Sequence, residues 1–277
     1  MKGNLYIIAT PIGNLEDITL RAIKVLSEVD FIAAEDTRHT LKLLNHLKIK
    51  KPLISYYKQN EKTKSDLLIE KLIDGKNIAI VSDAGTPGIS DPGEEIIKHA
   101  IQNDISIIPI PGACAMVNAL ICSGMSTSEF TFIGFLKTNK KERIEKLEEL
   151  KFEKRTLIFY EAPHKLIETL QTIKEILGDR QITLARELTK IHEEFIRGTI
   201  SKIIEEHESI KGEYVIIIEG SQLNKKEFEI SGLQELTMEE HYKYYENKGL
   251  EKKEIIKKIA KDRNVAKNEI YKKFLGC

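Results

Sequence analysis

Charged side chains follow an apolar segment at residues 185–190 (ARELTK), where a buried strand is expected to end. Glu187 and Lys190 are three residues apart, close enough to form an ion pair. A structural ion pair is the simpler interpretation. A lysine whose pKa is lowered by its surroundings would instead remove a proton from a substrate hydroxyl. The segment therefore predicts either a structural pair or an acid–base site.

Three apolar segments of the N-terminal half end in loops that combine proline with glycine: 10–14 (TPIGN), 82–93 (SDAGTPGISDPG) and 109–113 (PIPGA). Proline stiffens such a loop, and glycine lets a ligand approach the backbone closely. Ligands of open α/β sheets bind at the carboxyl ends of the strands, so the loops are expected to converge on one crevice. The alternative, three turns that merely close a sheet, is weaker for three loops at the same end. Neither GxxxxGK[ST] nor GxGxxG occurs, which favours a nucleoside with a polar tail over a triphosphate or dinucleotide.

The elements that would position these loops alternate between strand and helix. In the first half we predict strands at 5–9, 31–34, 53–54, 78–81 and 105–110, separated by helices that include 19–29, 64–73, 94–102 and 113–121. This alternation predicts βαβ units and a mostly parallel sheet. In the second half, strands at 130–135, 155–160, 182–186 and 214–218 outnumber helices at 140–150 and 165–177, which predicts a mixed sheet.

The predicted fold class is therefore α/β, with two α/β domains and a C-terminal helical extension. The first domain covers residues 1–123, the second 128–222, and the extension 231–277. Residues 248–277 hold ten Lys and Arg against four Asp and Glu, and their apolar residues predict two short helices joined by a turn at 262–265. A solvated helical cap and a helix-turn-helix-like RNA contact both fit this segment, and the positive charge favours the second.

Composition narrows the class of protein. The chain of 277 residues has 43 Lys and Arg against 43 Asp and Glu, which argues against nonspecific coating of nucleic acid or anionic membrane. Three cysteines without CxxC spacing predict a reducing, cytoplasmic compartment. The histidines do not occur at the spacing of metal ligands, so no metal site is predicted. The N-terminal apolar run is too short for a signal peptide. Residues 105–125 are as long as a membrane span, but their prolines and Gly112 predict a strand, a turn and a helix.

Five segments occur in a fixed order: 10–15 (TPIGNL), 34–38 (AEDTR), 81–93 (VSDAGTPGISDPG), 159–164 (FYEAPH) and 186–190 (RELTK). Together they closely resemble bacterial methyltransferases of small-subunit ribosomal RNA, in the tetrapyrrole methylase superfamily. The resemblance spans essentially the whole chain. It implies a homodimer in which S-adenosylmethionine binds in a cleft between two α/β domains. It also implies methylation of the ribose 2′-hydroxyl of a decoding-centre cytidine in 16S ribosomal RNA.

The resemblance and the converging loops together give a set of cofactor-binding candidates. They are Pro11, Gly13, Ser82, Asp83, Ala84, Gly85, Thr86, Pro87, Ile89, Pro111, Gly112, Ala113, Tyr160 and Ala162. The superfamily usually has PGxSS where this chain has PGACA at 111–115, so a hydroxyl contact made there by relatives is absent or replaced.

Methyl transfer from a sulfonium is an in-line displacement, and a base that takes the hydroxyl proton assists it. The catalytic candidates are Glu187, Lys190, Asp36 and Asp83. The candidates for substrate binding, several of them possible phosphate clamps, are Arg21, Arg38, His39, His164, Lys165 and Arg186. Lys165 stands where the subfamily commonly has arginine. Arg143, beside a charge-rich helix, is interpreted as a surface residue.

Two other functions fit parts of the sequence. A methylase of a small, tetrapyrrole-like molecule would use the same fold and cofactor, although the basic extension argues against it. An RNA-binding assembly factor without enzymatic activity would use the extension, but would not need three converging loops. The zero net charge favours the assembled small subunit over naked RNA as the partner.

Overall fold

The computed structural model describes residues 1–206, 212–223, 233–234 and 236–275. It contains two compact units, one of Met1–Leu150 with Arg155–Glu219, the other of Lys151–Lys154 with Gly220–Cys277. Parts of the second predicted domain and of the predicted extension, at 207–211, 224–232, 235 and 276–277, lie outside the described residues. The division near residue 123 stays a prediction.

The first sheet is entirely parallel, as expected from the strand–helix alternation. Its strands are β1 (Leu5–Ile8), β2 (Phe31–Ala34), β3 (Leu53–Ser55), β4 (Ile78–Val81) and β5 (Ile107–Ile110), in the order β3-β2-β4-β1-β5. Five helices connect them or follow them: α1 (Leu20–Glu28), α2 (Thr37–His46), α3 (Glu61–Ile73), α4 (Glu94–Gln102) and α5 (Ala115–Ile121).

Strand β4 consists of four apolar residues without an intervening polar residue, because it is buried on both faces. All four of its residues are buried, with Ile78 and Ile80 in one hydrophobic cluster and Ala79 and Val81 in another. Both faces of the sheet are therefore covered, which is usual for a parallel sheet. Residues 105–125 form β5, a turn and α5, as predicted. Among the described residues, no helix combines the length and the apolar character that crossing a bilayer requires.

The second sheet is mixed, which confirms the prediction. It contains β6 (Phe130–Phe135), β7 (Thr156–Glu161), β8 (Gln181–Arg186), β9 (Glu194–Thr199) and β10 (Tyr214–Ile218), in the order β6-β7-β10-β8-β9. Strands β6 and β7 are parallel, and the other pairs are antiparallel. Its helices are α6 (Lys140–Leu150), α7 (Leu166–Leu177) and α8 (Ile200–Glu206).

The described part of the smaller unit includes the helices α9 (Met238–Asn247), α10 (Lys252–Asp262) and α11 (Lys267–Leu275). Its own core includes Ile255, Ile256, Ile259 and Ile270, all nearly inaccessible to solvent. Thr237 begins α9 with a capping box, its hydroxyl accepting from the Glu240 amide and the Glu240 carboxylate accepting in return. The two helices predicted on either side of 262–265 are thus confirmed.

A buried polar group ties α9 to the end of α10 and makes the smaller unit sensitive to acid. His241 is fully buried, accepts a 3.1 Å hydrogen bond at Nδ1 from Arg263 Nε, and lies 3.3 Å from the Asp262 carboxylate. Burial, and then the Arg263 charge, lower the pKa of His241 below 6.5. The unfolded chain therefore binds more protons just below pH 6.5, and stability is lost as the pH falls through that window.

We accordingly expect native-state hydrogen exchange in α9 and α10, corrected for its intrinsic pH dependence, to accelerate between pH 7.5 and 5.5. The exposed His46 provides a control, because His46→Gln should leave this dependence unchanged, whereas His241→Gln should weaken protection at every pH. Constant protection of α9 across the window would contradict the assignment.

Candidate active site

The three proline–glycine loops converge as predicted. Thr10 and Gly85 exchange two backbone hydrogen bonds, of 2.8 and 3.0 Å, which join the loop after β1 to the loop after β4. Gly85 has a φ of +85°, a conformation that favours glycine. The Thr86 hydroxyl donates to the Ala113 carbonyl at 3.1 Å and so attaches the loop after β5.

A close contact joins the loop after β1 to the loop after β8. A Cβ atom added at Gly13 would lie 2.5 Å from Lys190 Cγ, 2.8 Å from Thr189 Oγ1 and 3.0 Å from the Leu188 carbonyl oxygen. Only glycine leaves room for this approach. The loops of the two sheets therefore meet at this point.

Between the loops lies a cleft of about 560 Å³, a volume within the range of small-molecule sites. Both sheets contribute to its walls. Its lining residues are Ile12, Glu35, Asp83, Ala84, Gly85, Thr86, Ile89, Ser90, Asp91, Cys114, Ala115, Phe135, Tyr160, Glu161, Ala162, Pro163, His164, Ala185, Leu188, Glu213, Tyr214 and Val215.

Three carboxylates in the cleft come from the ends of β2 and β4. Burial, and to a smaller extent the charge of Asp83, raise the pKa of Glu35. Burial, then Glu35 and Asp83, raise the pKa of Asp91 to about 6. Burial is the larger cause of both shifts and the neighbouring carboxylates add to it, so three acidic groups lie close together here. Among the described residues, none of the three has a Lys, Arg or His partner within 4.0 Å. The group is suited to a positively charged ligand.

Tyr160 forms the aromatic wall of the cleft at the end of β7. Its hydroxyl accepts a 3.1 Å hydrogen bond from the Met116 amide in the first turn of α5. Its ring packs edge-on against Phe132 and Phe135, with centroids 5.0 and 5.6 Å away. Burial, and then the neighbouring Cys114, raise the pKa of Tyr160 to about 12, so the phenol stays neutral.

Lys190 is held between two carboxylates beside the cleft. Its Nζ donates to Glu187 Oε1 at 3.1 Å and to Glu213 Oε2 at 3.0 Å. Partial burial alone would lower the pKa of Lys190, but these hydrogen bonds outweigh it and the pKa is raised. The Glu213 amide, which donates to Glu187 at 3.0 Å, and then Lys190 lower the pKa of Glu187. The three residues form a charged bridge between the loop after β8 and the start of β10.

Residues 4–204 match the family described as Tetrapyrrole (Corrin/Porphyrin) Methylases. The chain belongs to the tetrapyrrole methylase family. It is 52% identical to ribosomal RNA small subunit methyltransferase I of Halalkalibacterium halodurans, over 98% of this chain and 94% of that protein. It is 51% identical to the protein of the same name from Bacillus subtilis, over 97% and 93%. The solved uroporphyrin-III C-methyl transferase from Thermus thermophilus, complexed with S-adenyl homocysteine, shares the fold, with a TM-score of 0.57 at 15% identity over 78% of this chain and 97% of that one.

As a member of this family the chain is a methyltransferase, and its methyl donor is S-adenosylmethionine, which confirms the expected cofactor. The residues of the cleft fit this donor. Its sulfonium is a cation, and Glu35, Asp83 and Asp91 are the carboxylates that would balance it. Tyr160 and Ile89 offer apolar surface, and the loop backbones offer amides and carbonyls.

Many of the predicted site residues lie in this cleft or next to it. Those that line it are Asp83, Ala84, Gly85, Thr86, Ile89, Tyr160, Ala162 and His164. Pro11, Ser82 and Pro87 belong to the same loops without lining the cleft. Gly112 and Ala113 line a neighbouring recess instead, together with Asn118, Thr189 and Phe195. Pro111 is exposed beside them.

The catalytic candidates differ in their surroundings. Asp83 lines the cleft, whereas Asp36 does not. Asp36 begins α2 and binds Arg38 through both carboxylate oxygens, which lowers its pKa to about 2 and makes it a poor proton acceptor. A basic Lys190 would need a lowered pKa. The pKa of Lys190 is raised instead, which keeps the amine protonated, so that prediction is wrong. The alternative named for this segment, an ion pair, is what the structure contains.

The predicted substrate residues do not form one group. His164 lines the cleft, and Lys165 donates to the Thr138 hydroxyl at 3.1 Å. Arg186 lies 3.2 Å from the Glu194 carboxylate. The others, Arg21, Arg38 and His39, are exposed on α1 and α2 and are not among the residues that line the cleft.

Several residues that line the cleft are not among those predicted from the sequence. Glu35 and Asp91 lie inside two of the five ordered segments, 34–38 and 81–93, but are not among the predicted site residues. Glu213 precedes β10 and Tyr214 is its first residue, so neither lies at a strand end where ligand-binding residues are expected. β10 is antiparallel to β7 and β8, and Tyr214 pairs with both Glu161 and Arg186, so its first residues reach the edge where those strands end. The signal in the sequence that points to this position is the charged Glu213 directly before the predicted strand 214–218.

The charged bridge leads to a prediction. Lys190→Met should lower kcat/KM by roughly tenfold or more, because Glu187 and Glu213 lose their shared cation and repel each other across the cleft wall. Lys190→Arg should restore part of the activity, because a positioning role needs the charge rather than a titrating amine. The pH–rate profile of Lys190→Arg should match that of the wild type. If Lys190→Arg instead lost the rise in rate with pH that titration of a general base produces, this would contradict the positioning role and identify Lys190 as the base.

Proposed function

We propose that the protein transfers a methyl group from S-adenosylmethionine to the ribose 2′-hydroxyl of a cytidine in the decoding centre of 16S ribosomal RNA. The observation that carries this proposal is the 52% identity, over nearly the whole chain, to a protein named ribosomal RNA small subunit methyltransferase I. The five ordered sequence segments are part of the same likeness and agree with it. We further propose the assembled small subunit, in the cytoplasm, as the substrate.

In this proposal the cleft contributes orientation, charge and proton transfer. Glu35 and Asp91 attract the cationic donor, and Tyr160 fixes its apolar part. Asp83 is the candidate base that lies in the cleft, and its Oδ1 already accepts a 3.0 Å hydrogen bond from the Asp36 amide, which fixes its position. When bound, the donor supplies an electrophilic methyl group. Alignment of the acceptor oxygen with that methyl group carries much of the rate.

The test uses small subunits from a strain that lacks the modification. They are incubated with the protein and S-adenosylmethionine, and the RNA is digested to nucleosides for mass spectrometry. A 2′-O-methylated cytidine that depends on both components is the expected result. A methyl group on a base, or on no nucleoside while the donor still binds, would overturn the substrate. Methylation of a uroporphyrin-like molecule would favour the small-molecule alternative.

We also propose that the protein is a homodimer. Large apolar side chains are exposed on α5 and on the loop after β8, with Ile121 at 64% and Ile191 at 97% exposure. Val117, at 44% exposure, lies one turn before Ile121 on α5, and apolar side chains exposed side by side commonly lie in interfaces. Light scattering of the purified protein tests this proposal, and a monomer mass at micromolar concentration would overturn it.

A further inference from the structure

Charge is distributed very unevenly along the chain. Residues 248–277 carry ten Lys and Arg against four Asp and Glu, and the other 247 residues carry 33 against 39. The part of the chain that contains the cleft is therefore acidic on balance, and a polyanion would repel it. A methyltransferase of RNA with such a charge needs a basic surface elsewhere.

Helix α10 presents such a surface. Lys253, Lys257 and Lys261 recur at every fourth residue and are all exposed, so they form one stripe along the helix. Successive members are about 6 Å apart along the helix axis. The opposite face, with Ile255 and Ile259, is buried in the core of the smaller unit. The core thus holds this stripe on the outside.

The lysines of this stripe have no counter-charge in the part of the chain that the structure describes. None of Lys253, Lys257 and Lys261 has a carboxylate within 4.0 Å there, and the exposed Lys267 and Lys272 of α11 also have none. Some surface lysines elsewhere do have a carboxylate partner, such as Lys98 with Glu94 at 2.8 Å and Lys202 with Glu206 at 3.8 Å. Unpaired lysines in a row repel one another, which is unfavourable unless an anion binds them.

The chemistry of the stripe favours a phosphate backbone over a lipid surface. Helices that lie on membranes bury an apolar face among the acyl chains. The apolar residues of α10 are already used, because Ile255, Ile256, Ile259 and Ala260 all lie in the core of the unit. The exposed face of α10 carries only charged side chains. Such a face suits contacts to phosphate groups, which do not depend on the base sequence.

We propose that Lys253, Lys257 and Lys261 bind the phosphate backbone of RNA and hold the acidic part of the chain, which contains the cleft, on its substrate. The choice of RNA as the polyanion rests on the proposed function. The position of the binding surface does not, because it follows from the uncompensated charge on α10.

The experiment compares two triple variants of the full chain that lose the same charge. Lys253→Gln/Lys257→Gln/Lys261→Gln removes the stripe, and Lys98→Gln/Lys141→Gln/Lys202→Gln removes three exposed lysines that each have a carboxylate partner. Binding to a labelled RNA hairpin is measured across a range of salt concentrations, and methylation of small subunits is measured in parallel. Melting curves confirm that both variants fold.

We expect the stripe variant to bind RNA at least about tenfold more weakly at low salt. The slope of log affinity against log salt concentration should fall in magnitude by about 2, because each lost phosphate contact contributes about 0.7 to 0.9 to it. The control variant should stay close to the wild type. Equal affinity and equal slope in the two variants would overturn the proposal. So would a loss confined to binding of phosphatidylserine vesicles. A stripe-dependent loss of RNA binding in a protein that methylates no RNA would overturn the proposed function and leave this inference standing.

Discussion

Gly13→Ala is expected to lower kcat/KM by about a hundredfold or more, because a shift of about 1 Å in the groups that align a reaction can cost that much. The added methyl group would lie 2.5 Å from Lys190 Cγ and 3.0 Å from the Leu188 carbonyl oxygen. The second of these is backbone, which cannot rotate away. The loop after β8 must therefore move, and Leu188, which lines the cleft, must move with it.

The measurement is steady-state methylation of small subunits, with donor affinity determined by calorimetry. Gly198→Ala is the matched control, because the added methyl group there would meet side-chain atoms at 3.5 to 3.9 Å, an ordinary contact, and neither glycine has a positive φ. Both variants should unfold at similar temperatures if the effect is local. Wild-type kcat/KM in Gly13→Ala would show that the contact between the two loops does not position the cleft.

The parts of the fold that the sequence predicted well are those set by local chemistry. The run Ile78 to Val81 predicts a strand buried on both faces, and the seven Gly, Pro and Asp residues after it predict a loop shaped for a ligand. The three loops could be placed at one edge because parallel strands all end on the same side. Their convergence, through Thr10 and Gly85, follows from that rule.

The parts that the sequence missed depend on long-range pairing. The five residues of β10 do not indicate whether the strand runs parallel or antiparallel to β7. The position of Glu213 beside the cleft could therefore not be deduced from the sequence. Arg143 is a second case. Its interpretation as a surface residue is wrong, because it is 3% exposed and forms an ion pair with Glu168 from α7. Local composition around a charged helix does not reveal which of its charges has a distant partner.

Asp91→Asn is expected to weaken binding of S-adenosylmethionine at pH 7.5 by about tenfold, which corresponds to about 1.4 kcal/mol. In the wild type, affinity should fall as the pH drops through about 6, because protonation of Asp91 removes one negative charge that balances the cation. The variant should show a flatter dependence on pH. Calorimetry between pH 5.5 and 7.5 measures both effects, with Asp74→Asn, an exposed site on the end of α3, as the control.

The same substitution should have the opposite effect on the free energy of unfolding. The pKa of Asp91 is about 6 in the folded protein against an ordinary 3.8, so the folded chain binds more protons between these values. Its contribution to stability therefore falls as the pH rises through that window, and ionised Asp91 destabilises the free protein at pH 7.5. Asp91→Asn without donor should melt at a higher temperature than the wild type. A variant that binds its donor less tightly and yet folds more stably would show that Asp91 serves the ligand at the expense of the fold, whereas a lower melting temperature would show that the carboxylate supports the loop itself.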